Sequence, residues 1–300
     1  MHARPRALQD RGRRHMLSLG TATVGHCWQR PHLGCGFWRW KFRDGMKGSE
    51  ESAGRVAGVK SAIRVLDVLE FFARTPEPAT LARLCTALDM PKSSGHALME
   101  TLRHQGYVYW LGRQHGYYPT RRWRDIGEAI TRHDPILSIM SAVLRRISER
   151  SGETAILAKR EENEVLYLDV VEPDRTLRFS AYAGQIKPIH SAASGRALLA
   201  LADSEERTQV LSHLKLEAFS EHTVTDIDHL QKLIAEGESL GYHVVVGEYQ
   251  SETTAIAVGF KLGTECYALS VGGPTQRLEG RVNEIGHMLI EQAKTGTALR

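Results

Sequence analysis

At 300 residues the chain exceeds one ordinary domain and suggests two, each long enough to bury its own core. No apolar run reaches the roughly 18 residues of a membrane span, and no charged-then-apolar leader with a small-residue cleavage site opens it, so a cytoplasmic address is expected. Residues 1–50 carry 10 Lys+Arg against 3 Asp+Glu and residues 56–133 carry 11 against 7, whereas 134–300 carry 17 against 24. A basic module thus precedes an acidic one, as phosphate neutralisation by one end of a protein requires.

The first 45 residues show no helical or alternating period and read as a tail, with translation expected to start at Met46 and the leader to extend to residue 55. Arg-rich, acid-poor leaders also occur as transit segments, and Cys27 and Cys35 with His26 and His32 are possible zinc ligands, although their spacing matches no short Cys-x-x-Cys pair. From Val59 the pattern turns regular. Ile63, Leu66, Leu69 and Phe72 or Ala73 define a first helix, ended by Thr75-Pro76-Glu77-Pro78. Thr80 caps a second helix with Leu81, Leu84, Cys85 and Leu88 inward. A third runs from about Pro91 to His104 and stops at Gly106. Tyr107–Trp110, a polar tip Gly112–Gly116 and Tyr117-Tyr118 read as a β-hairpin. Three helices and a hairpin make a winged helix-turn-helix over 56–120.

An Arg-rich linker helix is expected over 121–134, then a helix from Ile136 to Arg150 opening a domain of residues 135–300. Strands follow at Thr154–Lys159, Val165–Val171 and Leu177–Tyr182. The small-residue loop His190–Gly195 opens a helix through Ala200. Asp203–Glu206 and Thr225–Asp228 read as capping boxes for helices ending near Leu214 and Gly241. Strands at Tyr242–Val246, Thr254–Phe260 and Cys266–Val271 and a helix from Leu278 to Lys294 complete an α+β layout.

In a helix-turn-helix, residues near the start of the second helix of the motif meet phosphates and base edges. Here those are Lys92, Ser93, Ser94 and His96, with Arg103 and His104 further along and Arg113 and His115 at the wing tip. Lys92 suits phosphate as a point charge, while the hydroxyls bond phosphate or base. The small residues of His190–Gly195 let backbone N–H groups approach an anion, and the absence of Gly-x-x-x-x-Gly-Lys-Ser/Thr favours a small organic acid over a nucleotide. The alternatives are a plain N-cap for Ser194 and a backbone tie for His190. No paired acids, nucleophile with base, or metal cluster stands at a recognisable spacing, and Cys266 has no second cysteine within 134–300. No catalytic residue, metal or cofactor is expected.

Across about 59–295 the residues resemble the IclR family of bacterial regulators. The match runs through Val59–Leu66, Met90-Pro91-Lys92-Ser93-Ser94-x-His96-x-Leu98, Gly106-Tyr107-Val108 and Gly152-Glu153-Thr154. It continues in Pro188-x-His190-x-Ala192-x-x-Gly195-Arg196-Ala197-Leu198, Gly241-Tyr242 and Ala268–Pro274. The resemblance implies a GAF-like effector-binding domain behind the winged helix, a homodimer or homotetramer on double-stranded DNA, and regulation by a small-molecule effector. It also implies an effector site at Phe179, Ala193, Ser194, Val245, Thr253, Ala255, Ser270 and Gly272. Three departures stand out: Gly95 lies where the family is usually apolar, Ala97 where it often has Arg, and Val245 and Val246 where many members are acidic, the last pointing to an aromatic or otherwise apolar acid. The competing function is a metabolite-binding or catalytic protein whose winged helix serves only protein contact.

Overall fold

The computed structural model describes residues 58–298, so the expected leader with its cysteines and histidines lies outside them. The first part packs α1 (Lys60–Arg74), α2 (Leu81–Ala87) and α3 (Lys92–His104) with the hairpin β1 (Val108–Trp110) and β2 (Tyr117–Pro119). Its core joins Val68 and Phe72 of α1 to Leu84, Met99, Leu102, Val108 and Tyr117. Of the stripe that marked α1 in the sequence, Phe72 is buried and Leu69 half-buried, but Ile63 and Leu66 are 47% and 58% exposed, and the neighbouring stripe through Val68 and Phe71 faces the core instead. Both stripes obey helical periodicity, so pattern alone did not choose between them. Thr80 caps α2 by accepting from Arg83 N at 3.3 Å.

α4 (Arg122–Arg132) buries none of its residues. Its first turn is fastened to the wing: Trp123 Nε1 donates to the Tyr107 carbonyl at 2.9 Å and Arg122 Nη1 to that of Gln105 at 2.9 Å. Two of the four arginines here are spent on i,i+4 pairs, Arg121 with Asp125 and Arg124 with Glu128.

The remainder is a six-stranded antiparallel sheet, β3 (Thr154–Glu161), β4 (Glu164–Val171), β5 (Ile186–Pro188), β6 (His243–Val246), β7 (Thr253–Leu262) and β8 (Glu265–Pro274), in the order β5-β4-β3-β8-β7-β6. Both faces are covered. On one side α5 (Pro135–Ser151), α9 (Thr275–Leu278) and α10 (Val282–Ala298) meet Ala155, Leu157, Ile256, Val258, Leu269 and Val271. On the other, α6 (Ala193–Leu201), α7 (Ser204–His213) and α8 (Ile227–Leu240) meet Ile156, Ala158, Val245, Ala257 and Ala268. Successive residues of β3 thus serve opposite cores, which is why the central strands read as continuous apolar runs.

Two local expectations are corrected here. Leu177–Tyr182 alternates apolar and polar residues but is not a strand; its turns close on Glu172, whose carboxylate accepts from Arg178 Nε at 2.6 Å, Ser180 Oγ at 2.7 Å and Ala181 N at 3.2 Å. A short edge strand, β5, lies just beyond, and Pro188 is tolerated because its missing N–H falls at the sheet edge. The N-cap of α8 is Asp226, accepting from His229 N at 2.7 Å, rather than Thr225. Asp203 does cap α7 through Glu206 N, but the Glu206 carboxylate pairs with Arg160 instead of completing a box.

Candidate functional site

Burial of Gly95, Met99 and Leu102 orients α3, and at about 100° per residue Ser93, Ala97 and Glu100 point away from the core. Lys92, His96 and Arg103 share one flank. Ser94 lies on the other, half-buried in a groove lined by Ser61, Ala62 and Arg64 of α1. Lys92, His96, Arg113 and His115 are exposed, and among the described residues no carboxylate pairs with them. Arg103 differs. It lies about 16 Å further along the helix axis than Lys92, and its Nη2 and Nε donate to Glu100 at 2.7 and 3.1 Å. Glu100 also accepts from the Tyr117 hydroxyl at 3.3 Å, which ties α3 to the wing. The Arg103 hydrogen bonds hold the Glu100 carboxyl below its ordinary range despite the opposing desolvation.

Gly95 has a packing reason. A Cβ there would stand 2.4 Å from Cys85 Sγ, so the thiol of α2 fills the space that a side chain on α3 would otherwise occupy. The pair lets the two helices of the motif approach closely.

A cavity with an open mouth lies against the α6 side of the sheet. All eight residues expected at an effector site line it, together with Ile156, Tyr167, Lys187, Ser191, Glu248 and Tyr249. Register explains the assembly: Val245 pairs with Ala255, Ala255 with Gly272, and Gly272 with Thr154, forming one row across four strands. Phe179 enters from the irregular segment after β4, its carbonyl held by the Thr154 hydroxyl. α6 starts against this row with Ala192 as N-cap and no side-chain cap. The alternative of an N-cap role for Ser194 is thereby excluded, because Ser194 lies inside the helix. Gly195 permits the tight entry, since a Cβ would come 2.0 Å from the Ile189 carbonyl oxygen.

Arg196 fixes the cavity wall. It is buried, its Nη2 donates to both oxygens of Glu248 at 2.7 Å, its Nε to the His190 carbonyl at 3.2 Å and its Nη1 to that of Val244 at 3.4 Å. Glu248 Oε2 also accepts from Val224 N at 3.3 Å. Burial of His190 keeps its ring below the usual imidazole range, so the neutral ring at pH 7 donates through Nε2 to the Glu217 carbonyl at 3.0 Å. His190 is the backbone tie that one reading of the sequence offered.

Two family profiles match this architecture, "IclR helix-turn-helix domain" over residues 61–112 and "Bacterial transcriptional regulator IclR C-terminal" over 128–296. The chain belongs to the IclR family. It is a transcriptional regulator with a DNA-binding helix-turn-helix domain. It is 28% identical over 265 residues to the transcriptional repressor IclR of Escherichia coli K12, covering 84% of this chain and 94% of the repressor. The IclR crystal structure from Thermotoga maritima superposes with a TM-score of 0.69 at 22% identity, covering 80% of this chain and 98% of the other. An IclR homologue from Microbacterium hydrocarbonoxydans, solved in complex with 4-hydroxybenzoate, gives a TM-score of 0.62 at 27% identity over 79% of this chain and 98% of its own.

Within this IclR-family regulator, reading the sequence missed Lys187, Tyr249 and Arg196. Arg196 stood in the recognised Gly195–Leu198 motif but had no assigned role. Lys187 lay on a strand too short to be seen, and Tyr249 in a loop whose path no local pattern reveals.

Proposed function

We propose that the chain grips double-stranded DNA through Lys92, Ser93, Ser94, His96 and Arg103 of α3 and through Arg113 and His115 of the wing, as a homodimer or homotetramer. The grip changes when a carboxylic acid occupies the cavity. The winged helix-turn-helix is assigned to 56–120, the linker to 121–134 and the effector-binding domain to 135–300. The single observation that carries the effector reading is the convergence of its eight expected residues on one cavity. The relative solved with 4-hydroxybenzoate supports an acid of that class, and Val245, Ile156 and Phe179 favour an aromatic or otherwise apolar body over pyruvate. Calorimetry in which only small polar acids bind would remove that preference.

Exposed Ile63 and Leu66 on α1 and Ile130 on α4 offer apolar surface to a second copy. No helix among the described residues is long and apolar enough to cross a membrane, and the cytoplasmic assignment rests on the role of the family's regulators. No catalytic role is assigned. Among the described residues no cluster of three or more His, Cys, Asp or Glu is placed to hold a metal.

The test is a DNA titration of the full chain against the promoter region beside its own gene and against random duplex, at two salt concentrations. Tight binding that prefers the promoter and weakens steeply with salt is expected. Absence of binding by folded protein at low salt refutes the reading and favours a cavity protein whose winged helix contacts only protein.

A further inference from the structure

Lys187 is a buried cation with no counter-ion among the described residues. Standing on edge strand β5, it pairs in register with Val165 of β4, is only 6% exposed and lines the cavity. Its Nζ lies 3.5 Å from the centroid of the Tyr249 ring, and among the described residues no carboxylate pairs with it. The strand order places β5 and β6 at opposite edges of the sheet, yet Tyr249, in the loop after β6, stands against Lys187.

The charged and titratable groups around it do not neutralise it. Glu248 is committed to Arg196, His190 is neutral and bonded to the Glu217 carbonyl, and burial pushes the phenols of Tyr167 and Tyr249 up, which keeps both uncharged. Desolvation pushes Lys187 down to about 8, so at pH 7 it is mostly an ammonium facing a ring and a cavity. Two further groups line the same cavity. Ser191 Oγ is buried with no partner among the described residues, and α6 opens at Ala193 without a side-chain cap. An ammonium, a hydroxyl and a helix N-terminus in one cavity are complementary to an oxyanion.

We propose that Lys187 is the specificity-determining residue of the cavity, pairing with the effector's carboxylate while Ser191 and the first N–H groups of α6 bond the same group and Phe179, Val245 and Ala255 hold the apolar body. The proposal rests on the reading of this cavity as the effector site. It selects an anion over the matching neutral amide, and it makes binding take up protons near pH 8, because the paired ammonium holds its proton more tightly than the free one.

The test uses the full chain, benzoate, 4-hydroxybenzoate and phenylacetate as probes, benzamide as the neutral match, and calorimetry at pH 7 and pH 8. Lys187→Met is expected to weaken benzoate at least about 30-fold while leaving benzamide within about threefold. At pH 8 the wild-type heats should differ between phosphate and Tris buffers, and those of Lys187→Met should not. Ala255→Trp, which fills the cavity, separates the two levels once its fold is checked by circular dichroism. If Lys187→Met binds benzoate like wild type and folded Ala255→Trp does not bind, Lys187 has no such role and the cavity reading stands. If neither variant changes the affinity, or wild type binds none of the three acids, both fall.

Discussion

The α3 face proposed to meet DNA and the cavity proposed to hold the effector use charge in opposite ways. On the face, Lys92 and Arg113 stand in water with no carboxylate partner among the described residues, and the role proposed for them lies in the counterions they would displace from DNA. In the cavity wall, Arg196 and Glu248 are removed from water and must satisfy each other. A cation on the face is therefore replaceable by another nearby, whereas one in the wall is not. Arg103 lies on the face but, through Glu100 and the Tyr117 hydroxyl, is partly a structural residue.

This contrast orders the expected effects of substitution. The largest is Arg196→Met, which strands the Glu248 carboxylate and should cost about 3–5 kcal/mol by denaturant unfolding; a cost under 1 kcal/mol would make the wall no more demanding than the face. Next is the pH dependence of the buried His243, whose pKa desolvation pushes down to about 4 from an ordinary 6.5. The unfolded chain binds the extra proton between those values, so the stability contributed is complete above about pH 6.5 and is lost as pH falls towards 4. The loss amounts to about 3 kcal/mol, and His243→Gln should flatten that part of the melting profile. Gly95→Ala drives a methyl into Cys85 Sγ and should cost roughly 1–3 kcal/mol by overpacking, most of it restored by Cys85→Ala in a double-mutant cycle. The smallest effects belong to the face. Lys92→Ala should weaken specific and random DNA alike by about tenfold and reduce the salt slope by about one, while Arg103→Ala should cost less affinity but loosen the wing.

Much of this was legible before the structure. Helix ends at Thr80, Gly152 and Gly241 and the strands of the sheet follow from local chemistry that short segments carry whole. The eight cavity residues were legible only through the family motifs, since their convergence depends on the register of β6, β7, β8 and β3. The stripe choice on α1 depended on which neighbour supplies a core. Leu177–Tyr182 has a strand's alternation without a strand's partner, because the Glu172 carboxylate and not a ladder satisfies it. Lys187 and Tyr249 are 62 residues apart, and nothing local to either announces the ring contact.

Coupling between the cavity and the DNA face is tested most directly by promoter affinity measured with and without a saturating acid bound at the cavity. A shift of about 5- to 150-fold in either direction is expected, matched by an equal shift in acid affinity when promoter is present. Identical DNA affinity with the cavity empty and full would contradict it.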